Sequence, residues 1–458
     1  MLGLVLLAWL SSFEGAFQYD DFKVIVDNPA VASLSAWWHS MPGMRPLLKL
    51  SFALNRTWAS DADDLGLSGF HLINLCLHLC NAWLLYAIVL RLLQPAPNAM
   101  PVSLLTALLF VVHPVQCEAV TMISGRSMSL MAVFYLSSLL AHLHRRRGLS
   151  IGLFAAALAS RETALTLPLA LILVERARTP QTPWRVLFRS VGGHALLAVL
   201  ASGLLLWLPA FRYLAAVSLE TRPLLDNLIT QSGAQLYLFK QALWPLTLDA
   251  DPTLPTFSVW NIYWASMASL WLALLAGAIR AWRGTGLMRW AGFGLFWFFL
   301  HLAPTNSLLP RLDIANERHL YLALIGLCLP VALGLSSVPR NQRLLLTGAA
   351  AALLLSLALG THLRNRVYAS EVTFWRDIAL KNPANSRAYN NLGYALANDG
   401  EAAAALEAYD HALRLEPADF TARLNLRTLC RDATIAGRMD LAQRCRQALA
   451  PAPERQHR

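Results

Sequence analysis

The stretch GFHLINLCLHLCNAWLLY, Gly69 to Tyr86, decides what kind of chain this is. With the four residues after it, it makes a predominantly apolar run at 69–90, long enough to cross the hydrocarbon core of a bilayer as a helix. Four polar residues interrupt it, His71, Asn74, His78 and Asn81. Their three- and four-residue spacing puts them on one helical face. A polar stripe on a membrane helix belongs inside a bundle, where it hydrogen-bonds to neighbouring helices. The rest of the chain agrees. Of 458 residues, 56% are hydrophobic and 14% charged, with a mean hydropathy of +0.44. Soluble domains carry nearly twice that charged fraction.

The net charge of +11 does not mark a nucleic-acid-binding surface. Basic residues come in short bursts between apolar runs, such as HRRRG at 144–148 and ERARTPQTPWRVLFR at 175–189. Cytoplasmic loops of polytopic proteins look like this. Only four of the 38 basic residues are lysine, which points to a GC-rich bacterial genome and so to the bacterial inner membrane. The six cysteines show no metal-ligand spacing.

About eleven apolar segments are expected, near 2–17, 69–90, 101–113, 127–143, 149–159, 163–175, 190–210, 262–279, 288–304, 319–336 and 344–361. The first lacks a charged leader region and a small-residue cleavage site, and reads as an uncleaved helix. The pair 149–159 and 163–175 flanks SRET and reads as a broken or re-entrant hairpin. LITQSGAQLYLFKQALWPL, 228–246, carries Gln231, Gln235, Lys240 and Gln241, and suits an interfacial helix better than a span. With this count the arginine-rich loops share the cytoplasmic side. The N-terminus is then cytoplasmic and the C-terminus periplasmic.

After residue 361 the composition changes. AYNNLGYALANDGEAAAALEAYDHALRLEP, 388–417, follows a helix-turn-helix repeat pattern of tetratricopeptide type, best at 386–419. Gly393 and Ala405 are small where its two helices must approach. EVTFWRDIALKNP, 371–383, reads as half a repeat, and 420–449 as a degraded one. The expected organisation is all-α: a polytopic membrane helix bundle over 1–361 and a short repeat domain over 362–458.

Ionisable residues beside apolar segments point to function. EGAFQYDDFKVIVDNP, 14–29, delivers Asp20 and Asp21 at the exit of the first segment. Adjacent carboxylates repel, which raises one pKa and suits a base or a cation site. An ordinary solvated loop is the alternative. MRPLLKLSFALNRTW, 44–58, holds Arg45, suited to phosphate or to an interfacial position. HPVQCEAVTMISGR, 113–126, holds His113, Glu118 and Arg126. SRET holds Arg161 and Glu162, and PRLDIANERHLY, 310–321, holds Glu317, Arg318, His319 and Tyr321. All of these fall on the extracytoplasmic side of the expected topology.

Taken in order, GAFQYDD, IVDNP, RPLLKLSF, GFHLINLCLH, LLFVVHPVQCEAVTMISGR, ASRETALTLPLAL and ERHLYLALIG, followed by the repeats, resemble the transmembrane and TPR-containing O-mannosyltransferases. They also resemble bacterial relatives of that group within the GT-C glycosyltransferase superfamily. The resemblance runs from about residue 13 through the repeats. It implies a GT-C-like membrane domain, a polyprenyl-phosphate-linked sugar donor and an acidic catalytic residue in the first extracytoplasmic loop, where Asp20 and Asp21 stand. It implies an inverting displacement, with an Asp as general base. Arg126, Arg318 and Arg45 are then nominated for the donor phosphate. His113, Glu118, His71, Arg161, Glu162, Glu317 and Tyr321 are nominated to build or support the acceptor site. Enzymes of this superfamily differ in their use of a divalent metal, so the resemblance leaves the metal open. Membrane lipid and a protein acceptor, engaged by the repeats, are the implied partners. The repeat array is shorter than in multicellular members, so neither mannose nor acceptor selection carries over directly. A non-catalytic membrane scaffold and a lipid-linked oligosaccharide ligase are the competing readings.

Overall fold

The computed structural model describes residues 2–58, 66–257, 262–307, 309–336 and 342–449. Parts of the expected extracytoplasmic loops 18–68 and 211–261, at 59–65 and 258–261, and the end of the expected repeat domain, 450–458, lie outside the described residues. Among the described residues every regular element is helical. The chain divides into two compact units, one of Met1–Leu248 with Leu254–Arg366, the other of Asp249–Thr253 with Val367–Arg458.

In the first unit, five helices are long and apolar enough to cross a membrane: Leu67–Leu93, Ile123–Leu143, Trp184–Trp207, Ala265–Arg283 and Leu344–Val367. Two bent pairs, Ala99–Val111 with Pro114–Val120 and Glu317–Ala323 with Ile325–Ser336, raise that to seven if each is one span. The chain is a multi-pass membrane protein. The difference from about eleven segments has a physical cause. Gly286–Leu302 has 17 residues and Leu167–Arg178 has 12. At 1.5 Å per residue the longer covers about 26 Å, short of a 30 Å core. The Leu2–Glu14 and Arg147–Ser160 helices fall short as well. The hairpin around SRET does break, with Arg161 extended between Arg147–Ser160 and a 3-10 turn at Glu162–Thr166.

The polar stripe on Leu67–Leu93 faces inward, and His71, Asn74, His78 and Asn81 are all buried. Its partners lie on other elements. Asn74 donates to the Val120 carbonyl (3.0 Å), and Asn81 donates to Ser129 O (2.8 Å) and Tyr321 Oη (3.0 Å). His78 meets Tyr321 Oη (2.8 Å) and the Val111 carbonyl (3.1 Å). Each bond satisfies a group that lipid could not. Gly286–Leu302 crosses Ile325–Ser336 where Gly294 faces Gly326, and a Cβ on either would overlap the other's carbonyl. Small residues let membrane helices pack this closely without a hydrophobic driving force.

The Leu224–Leu243 helix lacks the apolar composition of a span. Its polar face is bonded to the turn after Leu302: Asn227 donates to Ser307 O (2.8 Å), and Gln231 Oε1 accepts from Asn306 (2.8 Å). Leu224, Leu225, Leu228 and Leu243 are exposed. This is an amphipathic helix.

The second unit is a run of short helices, Glu371–Lys381, Ser386–Asn398, Ala402–Leu415, Phe420–Ile435 and Met439–Leu449. Its ends are capped by local chemistry. Ser370 and Thr373 form a capping box, Asn385 accepts from Ala388 N, and Asp419 from Thr421 N and Ala422 N. Phe374 and Trp375 are buried, and a Cβ at Gly393 would press on the Tyr409 ring. The Asp249–Thr253 segment is held by Asp251, whose carboxylate pairs with Arg387 and accepts from Asn385 Nδ2 (3.1 Å).

Candidate active site

The first loop folds over a small core of its own. Ile25, Val31, Leu48, Phe52, Phe70 and Ile123 pack together, with Phe17 against them. That core separates two adjacent carboxylates. Asp21 points in and is fully buried. It accepts N–H bonds from Ser124 (2.6 Å), Gln18 (3.0 Å) and Ile123 (3.4 Å). Burial pushes its pKa up to about 6, against the pull of those amides. Asp21 thus ties the first loop to the turn before Arg126.

Asp20 points out, with 35% of its side chain exposed. Its Oδ2 accepts from Arg318 Nη1 at 2.8 Å. Arg318 is held on its other side by buried Glu118, whose Oε1 lies 3.3 Å from Nε and whose Oε2 accepts the Arg318 backbone N–H at 2.9 Å. Three segments 200 to 298 residues apart in pairing therefore meet at one guanidinium. Beside them Arg45 makes a fork to Glu162, Nη2 to Oε1 at 2.5 Å and Nε to Oε2 at 2.9 Å. Burial works to raise the Glu162 pKa, but the Arg45 guanidinium outweighs it and holds the carboxyl well below its usual range. The fork and the Asp20–Arg318 pair are within electrostatic reach: Asp20 favours and Arg318 disfavours the charge on Arg45. Tyr19 and Arg45 both have positive φ, 29° and 52°. Such conformations cost side-chain-bearing residues about 1–3 kcal/mol and tend to collect at functional sites.

The other nominated residues lie elsewhere. Arg126, expected at the phosphate, is fully buried in the core beneath the first loop. Its Nε donates to Asn74 Oδ1 (2.6 Å), and Nη2 to Asn55 Oδ1 (2.8 Å) and the Phe70 carbonyl (3.0 Å). Its guanidinium also lies 4.6 Å from the Phe52 ring centre. His71 meets the Gly15 carbonyl (2.8 Å), and His113 meets the Ala242 carbonyl (3.1 Å). Tyr321 joins His78 and Asn81 as described. Glu317 and Arg364 form a buried pair at 3.2 Å. These residues hold the walls. Those that gather are Asp20, Glu118 and Arg318 in one ion-pair group and Arg45 and Glu162 in the other, with Arg161 within electrostatic reach of both. Arg311 joins them, an arginine passed over in PRLDIANERHLY. Its signal was its place in the same short loop as Arg318. Among the described residues no group of three or more His, Cys, Asp or Glu side chains is disposed to hold a metal ion.

No protein-family model and no solved structure matches the chain. Curated relatives do. Protein O-mannosyl-transferase TMTC4 of Homo sapiens is 24% identical over 485 residues, covering 89% of this chain and 64% of the relative. Protein O-mannosyl-transferase Tmtc3 of Drosophila melanogaster is 26% identical over 515 residues, covering 92% and 55%. Protein O-mannosyl-transferase TMTC4 of Mus musculus is 26% identical over 488 residues, covering 88% and 64%. The chain spans between about half and two thirds of the length of these relatives. By similarity running through most of its length, the chain is a relative of the TMTC protein O-mannosyl-transferases.

Proposed function

We propose that this chain is an integral membrane glycosyltransferase of GT-C type. It moves a sugar from a polyprenyl-phosphate-linked donor to a hydroxyl of a protein acceptor on the extracytoplasmic face, in the bacterial inner membrane. The observation that carries the reading is the contrast between neighbours: Asp21 is sealed among backbone amides, whereas Asp20 stands half-open against Arg318.

The chemistry needs two things from the site. The acceptor oxygen forms a bond to the anomeric carbon from one face, and its proton must go to a base. The bond from that carbon to the phosphate oxygen breaks, and polyprenyl phosphate leaves with the electron pair and a second negative charge. Asp20 is the base and Arg318 stabilises the leaving phosphate. At rest the two neutralise each other. A donor phosphate that engages Arg318 releases Asp20 to accept a proton. Glu118 keeps Arg318 in place throughout, and the Arg45–Glu162 fork lies within electrostatic reach of the same pair. The second unit is proposed to be a periplasmic tetratricopeptide domain that engages the protein acceptor.

A membrane scaffold would need no half-open acid beside an arginine. The test is glycopeptide mass spectrometry on extracytoplasmic proteins, comparing a deletion strain with the same strain carrying the wild-type gene. Loss of a single-sugar adduct in the deletion and its return on complementation support the reading. Identical adducts in both strains refute transfer to protein, and an adduct with the mass of a whole glycan favours a ligase.

A further inference from the structure

Four arginines, Arg45, Arg161, Arg311 and Arg318, lie within electrostatic reach of one another, and their charges are not equally matched. Arg45 has Glu162, and Arg318 has Asp20 and Glu118. Arg161 has no carboxylate within ion-pair distance among the described residues, although it is 96% buried, with only 4% of its surface exposed. Its Nη1 donates to Ser127 Oγ at 2.5 Å, and its buried Nε meets no acceptor. Burial, together with repulsion from Arg45, Arg318 and Arg311, lowers its pKa far below the ordinary arginine value, against the opposing pull of Glu162. Arg311 likewise forms no ion pair among the described residues. Its Nη1 lies 3.4 Å from His319 Nε2.

That contact is oriented. Asn306 Nδ2 donates to Gln231 Oε1 (2.8 Å) and the Ile314 carbonyl (3.0 Å), so its Oδ1 is an acceptor. His319 Nδ1, 3.1 Å from that Oδ1, must then carry the proton, which leaves Nε2 as a lone pair facing Arg311. Neutral His319 is thus a positioning residue for Arg311. Arg161, Arg311 and Arg318 all lie within electrostatic range of the same imidazole.

A buried guanidinium with an orphaned N–H and no carboxylate at ion-pair distance is costly in a folded protein. An anion that enters the site removes that cost, and phosphate matches the planar fork of arginine. We infer that Arg161 and Arg311, not Arg126, form the phosphate subsite for the isoprenoid-linked donor, with Arg311 aimed by His319. The inference rests on the transferase reading for the identity of the ligand, but its test does not require transfer.

The probe is farnesyl monophosphate, with farnesol as the uncharged control, titrated against the full-length protein in detergent and read by thermal unfolding. Wild type should show a saturable rise in Tm with the phosphate and none with the alcohol. Arg161→Met and Arg311→Gln should each raise the half-saturating concentration by about tenfold or more. Without ligand, Arg161→Met should melt no lower than wild type, because it removes an uncompensated charge. A structural arginine would behave the opposite way. Unchanged midpoints in both variants overturn the inference, and if Arg161→Met does not fold, Arg311→Gln alone decides. If the variants lose phosphate binding but wild type transfers no sugar, the transferase reading fails and the subsite stands. If wild type transfers sugar and both variants bind as it does, only the subsite fails.

Discussion

Asp20→Asn separates catalysis from folding, because the structure makes its stability cost small. The side chain is 35% exposed and its only ion pair among the described residues is with Arg318. When that pair is removed Arg318 keeps Glu118, at 3.3 Å from Nε and through its own backbone N–H at 2.9 Å. No buried charge is stranded. A partly exposed pair of this kind contributes about 1 kcal/mol or less, so Tm should fall by about 2 °C or less. The effect on chemistry is far larger. A general base contributes about 10²–10⁴-fold, or about 2.7–5.5 kcal/mol of barrier, and asparagine cannot take a proton. The assay is sugar transfer from a short-chain polyprenyl-phosphate donor to acceptor peptides in membranes, normalised to folded protein. The matched variant is Glu118→Gln, which should lose more stability than Asp20→Asn because it removes the buried partner of Arg318 and leaves only the half-exposed one. Near wild-type turnover in Asp20→Asn refutes the base assignment. A fall in turnover with an equally large fall in Tm refutes the argument that the residue is structurally dispensable.

Two further predictions test the frame around the site. Asp21 has a folded pKa of about 6, above its ordinary 3.8, so the folded state binds the proton more tightly. Its contribution to stability is therefore fully present below pH 3.8 and is lost as pH rises through about 6. From pH 7.5 to pH 5 wild type should gain about 1.4 kcal/mol relative to Asp21→Asn, and melting curves that shift in parallel would show that this carboxyl does not titrate there. Gly294→Ala should force the two facing helices apart at a cost of about 1–3 kcal/mol, seen as lost monodisperse protein in detergent. Gly203→Ala, in a helix position with no neighbour within 4 Å, is the control that should be neutral or slightly stabilising.

Much of this was legible without coordinates. A membrane helix announces itself by length and apolarity, and the spacing of His71, Asn74, His78 and Asn81 says which of its faces is buried. These are properties of neighbours three and four residues apart, which one stretch of chain settles alone. The small residue at Gly393 is local in the same way. The first loop, SRET and the NERHLY turn could also be nominated together, since the order of segments sorts them to one side. Their division of labour could not. Asp20 and Asp21 are adjacent and chemically identical, and only the core of Ile25, Phe52 and Phe70 turns one inward and leaves the other on Arg318. Arg126 and Arg311 exchange their expected importance for the same reason. One meets Asn55, Asn74 and a carbonyl in the interior, while the other stands beside His319 with no carboxylate at ion-pair distance among the described residues. Whether a charge is catalytic or structural depends on which partner reaches it across 117 to 298 residues of chain, and that is decided only when the helices are packed.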